Sequence, residues 1–266
     1  WLLQAAVPIC VLMRSSKTDR QRMYSNRVGG GLISPSGGLI WHFRALRYRA
    51  NWVDFINGLS EWLQSWGHGA DGLLILGASA GWCLRSPFLA GFREIVAVDL
   101  DPLAPLIFGR RHGPIIKKAG TSISWIRCDA MQELDRLLKL FPTHSILFCN
   151  ILGQLVLHTR DLIATEQYLQ QLPRKLAGRN WATFHDRLSR QWVPGESVPQ
   201  HFRKAGITSS LEVARLSRVH GVWEDHLTGE VLPDAVCRHY FAWPITSTRM
   251  HIIEAGFVES DSDRIH

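Results

Sequence analysis

The feature that most limits the fold is an alternation that begins at Asp71. Short apolar runs at Leu73–Leu76, Ile95–Val98, Ile123–Ile126, Ser145–Cys149 and Trp181–Phe184 are separated by stretches with helical spacing. Those stretches include Leu84, Phe88 and Leu89 (closed by Gly91), a segment opening at Pro102, Met131–Leu140, Leu162–Leu176 and a region near Val198–Ala205. Parallel strands need crossovers, usually helices, so this order predicts βαβ units around a mainly parallel sheet. Nearly continuous apolar strands fit a sheet covered on both faces. Tyr240–Trp243 and His251–Ala255, joined by a short Pro/Ser/Thr segment, read as a terminal antiparallel hairpin. The expected fold is α/β: a doubly wound, mainly parallel seven-stranded sheet with that hairpin and an N-terminal helical extension.

The extension is set at 41–70. Trp52, Phe55, Ile56, Leu59, Trp62, Leu63 and Trp66 fall on one helical stripe, and Gly67 and Gly69 are placed to end it. The sheet domain is set at 71–266. Residues 1–40 are read as a tail, open to disorder or to a non-native start, with a Gly/Ser/Pro-rich loop over 28–39 and Met23 as the expected true start. The apolar run Trp1–Met13 is shorter than the roughly 20 residues a bilayer demands, and it lacks the flanks of a secretory signal. No membrane association is expected.

With 46% hydrophobic and 20% charged residues, wholesale disorder and a disulfide-stapled miniprotein are excluded. Cys10, Cys83, Cys128, Cys149 and Cys237 form no C-x-x-C pair, which argues against structural zinc and for a reducing, cytoplasmic setting. The net charge of +7 is uneven. Residues 1–60 hold eight Lys/Arg against two Asp/Glu, while the remainder is nearly balanced at 22 against 21. Such an arm suits nucleic acid or an anionic surface, or is simply a solvated tail.

The chemistry-bearing stretch starts at the first apolar run. It ends in Gly77-Ala78-Ser79-Ala80-Gly81, small residues that let a ligand approach the backbone, with a helix expected to present its positive end there. Asp99 closes the second run, where a carboxylate can accept hydrogen bonds from ribose hydroxyls. Each candidate also has a plain structural use. The glycines can make an ordinary turn, Asp99 and Asp129 can cap the helices expected at Pro102 and Met131, and Asn150 can end a strand. No Tyr-x-x-x-Lys pair and no G-x-x-x-x-G-K-[ST] loop is present.

Over roughly residues 50–256 the sequence resembles class I (Rossmann-like) S-adenosylmethionine-dependent methyltransferases. The residues that carry the resemblance are the Gly77-x-Ser79-x-Gly81 turn, Asp99, Cys128-Asp129-Ala130 and Asn150, with the closing hairpin. The resemblance implies S-adenosyl-L-methionine as cofactor, held by Gly77, Ala78, Ser79, Gly81, Asp99, Leu100, Asp129, Ala130 and Asn150. Asp99 would take the ribose, Asp129 the adenine amino group, and Asn150 would lie beside the sulfonium and the acceptor. The sequence departs from the family at Ser79, where the middle glycine usually stands, at Ile75, where an acid is usual, and at Ile151-Leu152-Gly153 after Asn150.

His185, following the fifth run, is a candidate general base, so Asn150 and His185 stand as catalytic candidates. Surface-loop hydrogen bonding is its bland alternative. The segment His220-Gly-Val-Trp-Glu-Asp-His226 reads as turn chemistry or a lid, and Trp223 as core or as pocket lining. Trp41–Arg49 mixes Arg with aromatics and is expected to fold over the pocket as a lid, or else to stack nucleic-acid bases. The expected activity is methyl transfer to an unidentified small molecule or protein side chain. The alternatives are an RNA/DNA methyltransferase using the basic arm, a non-catalytic binding module, and a nicotinamide-dependent oxidoreductase.

Overall fold

A computed structural model describes residues 10–13, 38–66, 71–158, 161–193, 195–206, 208–219 and 221–260. Met23, Gly67, Gly69, His220 and most of the basic arm lie outside these residues.

Five strands run parallel along one side of the sheet: β2 (Gly72–Leu76), β3 (Glu94–Val98), β4 (Ser122–Ile126), β5 (Ser145–Cys149) and β6 (Trp181–Gln191). Their order is β4-β3-β2-β5-β6. The chain therefore winds outward in one direction from β2 and in the other from β5. β2 and β5 are entirely buried, as strands covered on both faces should be. The helices between them are α3 (Ser86–Leu89), α4 (Ala104–Lys118), α5 (Leu134–Leu140), α6 (Leu155–His158) and α7 (Leu162–Lys175), the last capped by the Asp161 carboxylate on the Ala164 amide at 3.0 Å.

The sheet is larger than seven strands. Among the described residues it has ten, because β1 (Cys10–Met13), β7 (Phe202–Ala205) and β8 (Gly221–Asp225) join it along with β9 (Cys237–Trp243) and β10 (Arg249–Val258). β10 lies antiparallel between β6 and β9, so the hairpin does not form the edge, and β7 closes that side. The helix expected near Val198–Ala205 is corrected to strand β7. Its four residues, Phe-Arg-Lys-Ala, offer no helical stripe, whereas pairing with β9 satisfies their backbone. A helix does follow, α8 (Ser210–Leu216), capped by Ser209 on the Glu212 amide. The turn or lid expected at Gly221–Asp225 is strand β8, and Trp223 is fully buried core.

Two further helices lie between β1 and β2: α1 (Gly38–Tyr48) and α2 (Val53–Ser65), joined by a 3-10 turn. α2 buries the expected stripe. Trp52, Phe55, Leu59, Trp62 and Leu63 share one core with Leu73, Ile75, Phe241 and Trp243 of the sheet. Phe55 stacks on Trp243 with centroids 4.9 Å apart.

Candidate functional site

Strand order reverses between β2 and β5, and ligands of open α/β sheets gather beyond the carboxyl ends of strands at such a point. The small-residue turn leaves β2 here. Gly77, Ser79 and Gly81 all have positive φ (75°, 45° and 61°). The Gly77 and Ala78 amides both donate to the Val98 carbonyl, so the turn is stitched to the end of β3. A Cβ on Gly77 would stand 1.8 Å from Ile151 Cγ2, and one on Gly81 would stand 2.6 Å from His112 Nε2. Both glycines are therefore obligatory for packing as well as for φ. The helix expected directly after the turn is only the four-residue α3, beginning at Ser86, so no long helix follows the turn directly.

Asp99 faces the turn. Its Oδ2 accepts the Ser79 amide at 2.7 Å and its Oδ1 the Asp101 amide at 2.9 Å. Burial pushes its pKa above the usual carboxylate value despite those two donors. Leu100 beside it is exposed. Asp129 caps the turn before α5, its Oδ1 accepting the Met131 and Gln132 amides at 2.9 and 3.1 Å, and Ala130 is buried among the apolar side chains of that face. Ala78 is likewise buried.

α1 lies on this turn. Trp41 Nε1 donates to Ser79 Oγ at 3.1 Å, and the Gly38 amide donates to Asp101 Oδ2 at 3.1 Å. Trp82 Nε1 donates to His42 Nδ1 at 2.9 Å, which leaves the His42 proton on Nε2, 2.8 Å from Asp101 Oδ2. Burial alone would raise the Asp101 carboxyl, but His42 and the Leu103 and Gly38 amides hold it low.

On the other side of the reversal, Asn150 sits in the left-handed region (φ 52°) at the end of β5. Its Oδ1 accepts the Asp186 amide at 2.8 Å, and its Nδ2 donates to Asp186 Oδ2 at 3.3 Å. The geometry brings Asn150 to Asp186, not to His185. His185 points to the opposite sheet face with no exposure, its Nδ1 meets only Thr183 Oγ1 at 3.0 Å, and burial with the charges of Arg187 and Arg238 drives its pKa down to about 3. A base enclosed in this way has no open face toward an acceptor. The residue that sequence reasoning passed over is His251, whose Nδ1 lies 2.7 Å from Asp186 Oδ1. Strand alternation from Ala182 and Phe184 was the available signal, since it puts Asp186 on their face.

No protein-family model and no curated protein sequence matches the chain. Among solved structures it is similar to the N-methyltransferase NodS of Bradyrhizobium japonicum in complex with S-adenosyl-L-homocysteine, at 13% identity over 71% of this chain and 78% of that one, TM-score 0.34. It is also similar to the N-terminal domain of EvdMO1 with S-adenosylhomocysteine bound (16% identity, 81% of each chain, TM-score 0.37). A third is an O-methyltransferase family protein from Burkholderia thailandensis (9% identity, 92% and 71% covered, TM-score 0.39). These likenesses are broad in coverage and loose in superposition. Among the described residues no helix is long and apolar enough to cross a membrane.

Proposed function

We propose that this chain is an S-adenosylmethionine-dependent methyltransferase acting on a small molecule or a protein side chain. The observation that carries the reading is the Asp99 carboxylate, held against the Gly77–Gly81 turn at the point where strand order reverses. The residues fit an adenosyl group. A carboxylate offers about four lone-pair sites and Asp99 spends two on amides, so acceptors remain for ribose hydroxyls. Asp129 spends only Oδ1 in its cap, leaving Oδ2 for an adenine amino group. S-adenosylmethionine would supply there a methyl group on a sulfonium, open to direct displacement. The protein's part is alignment and exclusion of water, and Trp41, bonded to Ser79, covers the turn.

Calorimetric titration tests this reading. Wild-type protein is expected to bind S-adenosylmethionine, and Asp99→Ala to weaken it at least tenfold, about 1.4 kcal/mol. Wild-type protein that binds none, or that binds a nicotinamide dinucleotide instead, overturns it. A nucleic-acid acceptor is the second reading, favoured by Arg47 in the last turn of α1, Arg49 in the 3-10 turn after it and the exposed Phe43 one helical turn before Arg47. Salt-sensitive RNA binding that disappears in Arg47→Ala/Arg49→Ala would select it.

A further inference from the structure

We propose that His251 is the general base of this site, positioned by Asp186, and that the methyl acceptor is a hydroxyl group. The inference rests on the methyltransferase reading above and deepens it. Asp186 is buried and fully engaged: Asn150 holds one carboxylate oxygen and its backbone amide, and His251 Nδ1 takes the other oxygen. A carboxylate so held fixes both the plane and the tautomer of its imidazole, with the proton on Nδ1 and the lone pair on Nε2. Nε2 has no hydrogen-bond partner among the described residues, and the His251 side chain keeps 13% exposure. His185, on the other face of β6, has none.

The position suits a reacting group. Trp41, bonded to Ser79 of the glycine turn, stands edge-on to Trp243 at 6.0 Å, and Trp243 stands at 62° to His251 at 6.2 Å. Two indoles thus lead from the turn to His251. Asn150, just past the end of β5, and Asp186, midway along β6, lead to the same ring. The other polar neighbours are already committed. His226, 5.9 Å away, uses both ring nitrogens on the Gly153 carbonyl and Ser189 Oγ, and burial lowers its pKa. Glu224 on β8 is paired with Arg249. Asp186 itself is held ionised: burial would raise its carboxyl, but His251, His226 and Asn150 bring it down to about 2.

A hydroxyl is the acceptor that needs such a device, because it is a weak nucleophile until a base takes its proton. The acceptor's O–H bond breaks toward His251 Nε2 as its oxygen forms the O–CH3 bond. The S–CH3 bond of the sulfonium breaks with its electron pair left on sulfur. Positive charge passes to the His251 imidazolium beside Asp186, and that proton is then released to water.

Three measurements test this. Histidine-selective ¹⁵N NMR of the wild type at alkaline pH is expected to show Nε2 unprotonated. In Asp186→Asn the tautomer should reverse. Transfer to catechol, used as the hydroxyl probe, should fall about 10²-fold or more in His251→Gln and in Asp186→Asn, while calorimetric binding of S-adenosylmethionine stays unchanged. Wild-type protein carrying the proton on Nε2 overturns the proposal whether or not the variants fold. So does methylation of benzylamine, used as the amine probe, that persists in His251→Gln. Loss of S-adenosylmethionine binding by the wild type itself instead condemns the methyltransferase reading underneath.

Discussion

Gly77→Ala is the sharpest test of how the turn is built. The new Cβ would meet Ile151 Cγ2 at 1.8 Å, with Ile151 Cβ at 3.3 Å, on backbone at φ 75°. Two costs add. A non-glycine residue in the left-handed region loses about 1–2 kcal/mol. Overpacking against a fixed neighbour costs about 1–3 kcal/mol more. The sum is about 2–5 kcal/mol, and at roughly 2–4 °C per kcal/mol the melting temperature should fall visibly. Urea unfolding of Gly77→Ala, Ile151→Ala and the double variant separates the two parts. Removing Cγ2 should return the steric share, a coupling of about 1–3 kcal/mol, and leave the φ share in place. A Gly77→Ala variant within about 0.5 kcal/mol of wild type, or a double variant with no coupling, would refute the packing argument.

Other outcomes follow from the buried polar groups. Arg238→Met should destabilise by about 3–5 kcal/mol in urea unfolding, because it strips Glu254 of one of its two buried cations, and Glu254→Gln in that background should recover part of the loss. His185 is neutral in the fold with its pKa near 3, whereas unfolded chain takes up a proton near 6.5. Its stabilising share is therefore complete above pH 6.5 and drains away as pH falls toward 3, at about 1.4 kcal/mol per pH unit. His185→Gln should flatten the stability curve across that window, and an unchanged slope would contradict the burial. Trp41→Phe should cost about 0.5–1.5 kcal/mol through the lost bond to Ser79 and speed release of S-adenosylhomocysteine in stopped-flow experiments.

The sheet was readable wherever apolar runs wrote it. β2, β3 and β5 fall on the expected residues, and α7 follows the expected Leu162 start. β6 was read only as far as Phe184, because the residues beyond it are polar. The strand nevertheless continues to Gln191, since those polar groups find partners: Arg187 with Asp225, Ser189 with His226, Arg190 with Glu196. Hydrophobic periodicity is blind to a strand stabilised in this way. The same blindness hid β8 and, with it, the surroundings of His251. Within the site, the Gly77–Gly81 turn and its link to Asp99 lay within one βαβ unit and were recoverable. The Asp186–His251 pair joins residues 65 positions apart, across a register shift between β6 and β10 that no local pattern announces.

Trp41 touches Ser79 on one side and Trp243 on the other. Among the described residues it belongs to the first helix that leaves the ribosome, while Trp243 belongs to the second-to-last strand. During synthesis Trp41 therefore waits for its far support until Trp243 has emerged. A stalled or prematurely terminated chain would hold the glycine turn and the acid behind it, yet remain uncovered.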